Sequence, residues 1–255
     1  MSHMFYGARA FNQPLYFSAA SAVTMSGMFA GASSLNRSVR LESASNVTDT
    51  SFMFAGATAF NQPLRLDTSA VTRMTSMFAN AASFNQPVSF DTASVVDMSG
   101  MFAHAASFNQ PLGRTLRATD NRRVFSTSSV VDMSRMFAGA ASFNGKLRLD
   151  YASVVTMRSM FSGAVSFNRP IDFSAPKLSD VSYMLEGARS FNQRFEITSE
   201  ASSVNVMGML VGTTSLHHTN LEMSRNSFYQ LHGAGSELLD YCNTEEKTLE
   251  ALRIG

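Results

Sequence analysis

Apolar residues along this chain follow two alternating rhythms. In residues 60–84, FNQPLRLDTSAVTRMTSMFANAASF, Leu64 and Leu66 flank Arg65. That period of two predicts a short strand with one exposed face. The same alternation occurs at Leu15/Phe17, Val39/Leu41, Val88/Phe90, Leu147/Leu149, Ile171/Phe173 and Phe195/Ile197. Past the strand, Val71, Met74, Met77, Phe78, Ala81 and Phe84 fall three or four apart. This spacing predicts one or two α or 3₁₀ turns burying a single stripe, with Asp67, Thr68 and Ser69 able to accept from first-turn N–H groups.

The two rhythms recur as a unit. Met-Phe or Met-Leu stands at 4, 28, 53, 77, 101, 136, 160, 184 and 209, in steps of 24, 25, 24, 24, 35, 24, 24 and 25 residues. Self-similarity of this length predicts an α/β repeat solenoid, leucine-rich-repeat-like, of about nine coils of 24–25 residues. Each coil would hold a short parallel strand and a short α/3₁₀ segment. Two residues after each pair come Gly7, Gly31, Gly56, Asn80, His104, Gly139, Gly163, Gly187 and Gly212. These residue types share tolerance of a left-handed backbone. The methionines, at helical spacing among Val and Phe, read as core filler. The array spans 1–217, and 218–255 reads as a C-terminal capping segment. That cap is expected to be helical from about 236, with Leu238, Leu239, Cys242, Leu249 and Leu252 as its apolar stripe. The first coil has no equivalent cover, so end-to-end association there is an expectation.

Composition narrows the partners. Charged residues make up 15% of the 255 positions and the formal net charge is +1, which argues against a nucleic-acid footprint. No apolar run approaches the ~18 residues of a membrane span, and the start lacks a signal-peptide pattern. One cysteine excludes an internal disulfide framework and leaves the compartment open.

Candidate chemistry is sparse. Asn12, Asn36, Asn61, Asn85, Asn109, Asn144, Asn168 and Asn192 occupy one phase of the repeat, and stacked identical amides are expected to hydrogen-bond neighbouring coils rather than to catalyse. The five histidines make no repeated set with Cys, Asp or Glu at metal-ligand spacing. No catalytic, metal or cofactor residue is expected, and the chain reads as a non-enzymatic recognition scaffold. Two binding elements suggest themselves. Outward strand positions give Tyr16, Arg40, Arg65, Ser89, Arg148, Asp172 and Glu196, with Glu42, Asp67 and Asp150 two residues on from arginines. Either those carboxylates neutralise the arginines in a solvated lattice, or the column reads a partner. The 35-residue step marks an inserted loop at about 113–124, where Arg114, Arg117, Arg122 and Arg123 could grip carboxylates, sulfates or phosphates. A protein or glycan partner fits both. Uneven Ser/Thr rows leave glycan or ice binding, or a purely structural role, as alternatives.

The consensus VxxMxxMFxxAxxFNQPLxxxD, filled by Val71, Met74, Met77-Phe78, Ala81, Phe84-Asn85, Pro87 and Asp91, resembles the repeat of the BspA-like leucine-rich surface proteins. That family contains the mycoplasma lipoprotein repeats of unknown function. The resemblance covers about 1–217. One departure is that Phe17, Leu66, Phe90, Leu149 and Phe173 stand where the family usually has Trp. The resemblance implies a right-handed solenoid and, for many members, cell-surface or secreted display with adhesion. It implies no catalysis and no cofactor.

Overall fold

The computed structural model describes residues 1–113, 125–221 and 223–224. Arg114, Arg117, Arg122, Arg123 and the expected helix from about 236 lie outside the described residues. Within them the chain is a repeated domain of short parallel strand pairs with almost no helix. Helical residues occur only at 218–221 and 223–224 among those described.

The segment around each Met-Phe departs from the expectation of α or 3₁₀ turns: it is a run of tight turns. The cause lies in the residue directly before each Met. His3, Gly27, Phe52, Ser76, Gly100, Arg135, Ser159, Tyr183 and Gly208 all have φ between 52° and 63°. A left-handed residue reverses the helical path. Its effect shows in the hydrogen bonds, which alternate. Met77, Ala79 and Ala81 donate back three residues, to Met74, Ser76 and Phe78 (3.2, 3.1 and 3.0 Å). Met74, Ser76, Phe78 and Asn80 donate instead to Asp97, Ser99, Met101 and Ala103 of the next repeat (2.9, 2.8, 2.9 and 2.7 Å). Each i→i−3 turn buries side chains at the three-and-four spacing of a helix while freeing every second N–H to bind the neighbouring repeat. The expected left-handed column is also present: Gly7 to Gly212, with Asn80 and His104, has φ from 57° to 74°. At Gly163 an added Cβ would meet nothing closer than the Gly139 backbone at 3.7 Å. Conformation and not space therefore favours glycine there, which is why Asn80 and His104 are admitted.

The side chains so aligned stack. Phe29, Phe54, Phe78, Phe102, Phe137 and Phe161 form one column, with neighbouring ring centroids 5.1–5.8 Å apart. Phe60, Phe84, Phe108, Phe143, Phe167 and Phe191 form a second at 6.0–6.2 Å. Within a repeat the two columns touch, as at Phe78–Phe84 (4.1 Å). Both columns are fully buried. Because the offset rings also join every repeat to the next, the core is one continuous strip.

The strand half is less regular. Six strands, β1 (Leu15–Ser18), β2 (Val39–Glu42), β3 (Leu112–Gly113), β4 (Leu147–Arg148), β5 (Ile171–Ser174) and β6 (Phe195–Thr198), pair in parallel as β1–β2, β3–β4 and β5–β6. A single bridge, Arg40↔Arg65, extends the first pair. The expected unbroken strand ladder is therefore realised in pieces, while the Thr24↔Asp49↔Arg73↔Asp97↔Asp132↔Thr156↔Asp180↔Asn205 bridges run without a break through the turn half. Length changes also fall in the strand half. Phe17-Ser18-Ala19 becomes Leu41-Glu42-Ser43-Ala44 in the next repeat, and the extra Ser43 takes a left-handed φ of 57°. The larger insertion departs after Gly113 and returns at Phe125, which is 4% exposed in the core position held elsewhere by Phe90.

Candidate functional site

The outward strand column is assembled in the first three repeats. Parallel pairing puts Tyr16 beside Arg40, and the bridge puts Arg40 beside Arg65. All three are exposed, Tyr16 by 65%. Alternation sends Leu15, Phe17, Val39, Leu41, Leu64 and Leu66 inward, so these three side chains have no route except to solvent. Neighbouring strands lie about 4.8 Å apart, and like charges at that spacing oppose one another. No ion pair neutralises this patch among the described residues: neither guanidinium has a carboxylate oxygen within 4.0 Å there. Glu42 is engaged with Tyr16, whose phenol is pushed up by hydrogen bonding to that carboxylate and by its charge. Asp67 Oδ1 accepts from Ser69 N and Oγ (3.2 and 2.9 Å), closing a side-chain turn rather than a helix cap.

The remaining candidates do not join this patch. Arg148 sits in β4 opposite Gly113, repeats away. Asp172 faces Glu196 across β5–β6, so the column ends in like negative charge as it began in positive. Arg114, Arg117, Arg122 and Arg123 lie outside the described residues.

The asparagines form a ladder. Each Oδ1 accepts the backbone N–H of the next asparagine, from Asn12→Asn36 (3.0 Å) through Asn36→Asn61, Asn61→Asn85, Asn85→Asn109, Asn109→Asn144 and Asn144→Asn168 to Asn168→Asn192 (2.9 Å). His217 N–H closes it on Asn192 (2.8 Å). Gln86 and Gln110 reinforce rungs by donating Nε2 to the preceding Asn Oδ1 (3.1 and 3.0 Å). With their acceptor oxygens consumed in this way, the amides hold turns together.

A second polar row, not among the sequence-based expectations, runs through the turn half. Asp49, Asp97, Asp132 and Asp180 each accept, through Oδ1, the N–H two residues on (2.7–2.9 Å). The recurring Asp-x-Ser-x-Met, at 49–53, 97–101, 132–136 and 180–184, is its mark in the sequence. Where Arg73 replaces the acid it pairs with Asp49 at 3.0 Å. Burial works to raise Asp49, but hydrogen bonds from Ser51 and then the Arg73 guanidinium outweigh it and hold the carboxyl below its ordinary value. No group of three His, Cys, Asp or Glu side chains that could hold a metal occurs among the described residues. No described helix is long and apolar enough to cross a membrane.

A family model described as Mycoplasma protein of unknown function, DUF285, matches residues 1–66, 65–125 and 114–223. No curated protein matches, and no solved structure matches.

Proposed function

The chain belongs to the DUF285 family of Mycoplasma proteins of unknown function, and we propose that it is a non-enzymatic recognition solenoid that binds an anionic partner through its early strand face. Repeat-to-repeat hydrogen bonding and two aromatic columns join the repeats into a continuous scaffold. That supports the leucine-rich-repeat-like, BspA-type reading, with a surface or adhesive role as its biological setting. The single observation carrying the functional reading is Tyr16, Arg40 and Arg65 in register on neighbouring strands, with no carboxylate oxygen within 4.0 Å of either guanidinium among the described residues. A partner bearing carboxylate or sulfate groups would relieve that like-charge contact and take bidentate bonds.

The test is binding of the full chain to polyglutamate, heparin and neutral dextran by biolayer interferometry at two salt concentrations. Wild type should bind at least one polyanion, more weakly at higher salt, and Arg40→Ser/Arg65→Ser should lose that binding. Arg73→Ser, which alters a cation outside the patch, should keep it. Equal binding by the double variant, or none by wild type, would defeat this reading.

A further inference from the structure

A cleft of about 830 Å³ opens where β4 and β5 are not paired. It stands apart from the early strand face, and three departures from the repeat consensus meet in it. Position 151 is the first. Its equivalents Ala19, Ala44, Thr68, Thr92, Thr127 and Ala175 are small and buried, and here the slot holds Tyr151. A phenol ring does not fit a threonine's space. Instead Tyr151 stacks against Phe173 of the next repeat at 4.1 Å. Leu147, Leu149 and Phe173 are half-buried, as are Leu15, Phe17 and Val88 in other repeats, whereas Leu64, Leu66 and Phe90 are at most 7% exposed. Burial raises the phenol's pKa, so its hydroxyl, which makes no hydrogen bond among the described residues, stays protonated as a donor.

The other two departures bring charge. Gln-Pro follows the ladder asparagine in four repeats, but Gly145-Lys146 and Arg169-Pro170 replace it here, and Lys146 and Arg169 both line the cleft. Arg169 is anchored by its Nε on the Asn144 carbonyl (2.8 Å), which leaves its two terminal nitrogens for a ligand. Neither cation has a carboxylate within 4.0 Å among the described residues. An apolar, partly aromatic wall beside Lys146, Arg148 and Arg169, which outnumber the lining carboxylates Asp150 and Asp172, in a volume inside the ~300–1,000 Å³ range of small-molecule sites, suits a ligand with an apolar body and an anionic end.

We propose that this cleft is a binding site for a small amphipathic anion, an acyl or aryl chain ending in one carboxylate, with Arg169 and Lys146 taking the carboxylate and Tyr151, Phe173 and Leu149 the chain.

The test uses the full chain, with dodecanoate and uncharged dodecanol as probes competing against anilinonaphthalene sulfonate. Wild type should bind dodecanoate one-to-one and release the dye. Arg169→Gln restores the residue other repeats carry, so it should fold; it should weaken dodecanoate about tenfold while leaving dodecanol unchanged. Tyr151→Thr, also a residue of neighbouring repeats, should abolish both as the slot closes. Failure of wild type to bind, or equal binding by wild type and both variants, would overturn the site. So would binding that emerges only in a variant lacking residues 114–124, because the insertion would then be the cleft's occupant.

Discussion

The two halves of each repeat carry different obligations. In the turn half every second N–H serves the next repeat, two phenylalanine columns leave no gap, and the asparagine ladder runs from Asn12 to His217. In the strand half pairing lapses between β4 and β5, a residue is added at Ser43, and an eleven-residue excess appears after Gly113. Near-invariance is therefore confined to the half where one changed residue disturbs two neighbours. The strand half is free to vary because its backbone is already held in place on both sides.

The largest test of this contrast is truncation of a core side chain in each half. Phe78→Ala, in the middle of both stacking directions, should cost about 3–5 kcal/mol, and half-buried Leu147→Ala markedly less. Urea unfolding reads both, and equal losses would break the contrast. Next comes the ladder: Asn85→Ala strands the Asn109 N–H, while the Gln110 amide keeps its bond to the Asn85 carbonyl, at about 1–3 kcal/mol. Asn85→Asp, which keeps an acceptor oxygen, should recover most of that loss.

Glycine substitutions sharpen the comparison further. Gly163→Ala should cost about 1–2 kcal/mol from its positive φ alone. Gly139→Ala should cost more, because the His104 ring covers the site of the new methyl, and His104→Gly should remove the excess. Additive effects in that pair would sink the contact. The smallest effect concerns Asp49. Its folded-state pKa is depressed, so its contribution exists above the ordinary carboxylate value and is lost as pH falls through the folded-state value. The stability gap between wild type and Asp49→Asn should shrink along that acid limb, by no more than tenths of a kcal/mol given the exposure of Arg73.

Much of this architecture is visible in the residues themselves. Fixed phases of Met, Phe and Asn announce the repeat, the core columns and the ladder. Gly, Asn and His at one phase announce the left-handed column. The second such column is hidden because Phe52, Ser76, Arg135, Ser159 and Tyr183 bear no mark of it; His3, Gly27, Gly100 and Gly208 alone hint at it. Without it, apolar spacing of three and four reads as helix, since consecutive i→i−3 turns generate the same spacing. The strand face was legible as a register of Tyr16, Arg40 and Arg65, because alternation alone decides which side chains point outward. Whether Glu42 would satisfy Arg40 depended on side-chain rotamers, and Glu42 turned to Tyr16. The cleft is not legible in the sequence, because a lone Tyr151 signals nothing unless its small equivalents in other repeats are known to be buried.

The regular inter-repeat bonding also has a mechanical consequence. Pulled from its two ends, a chain held by the same set of bonds at every repeat should yield one repeat at a time. Each 24-residue unit would then release roughly 80 Å of extended chain, and the 35-residue unit roughly 120 Å. The extension trace would be a near-uniform staircase with one tall step, a record of the repeat length written in force.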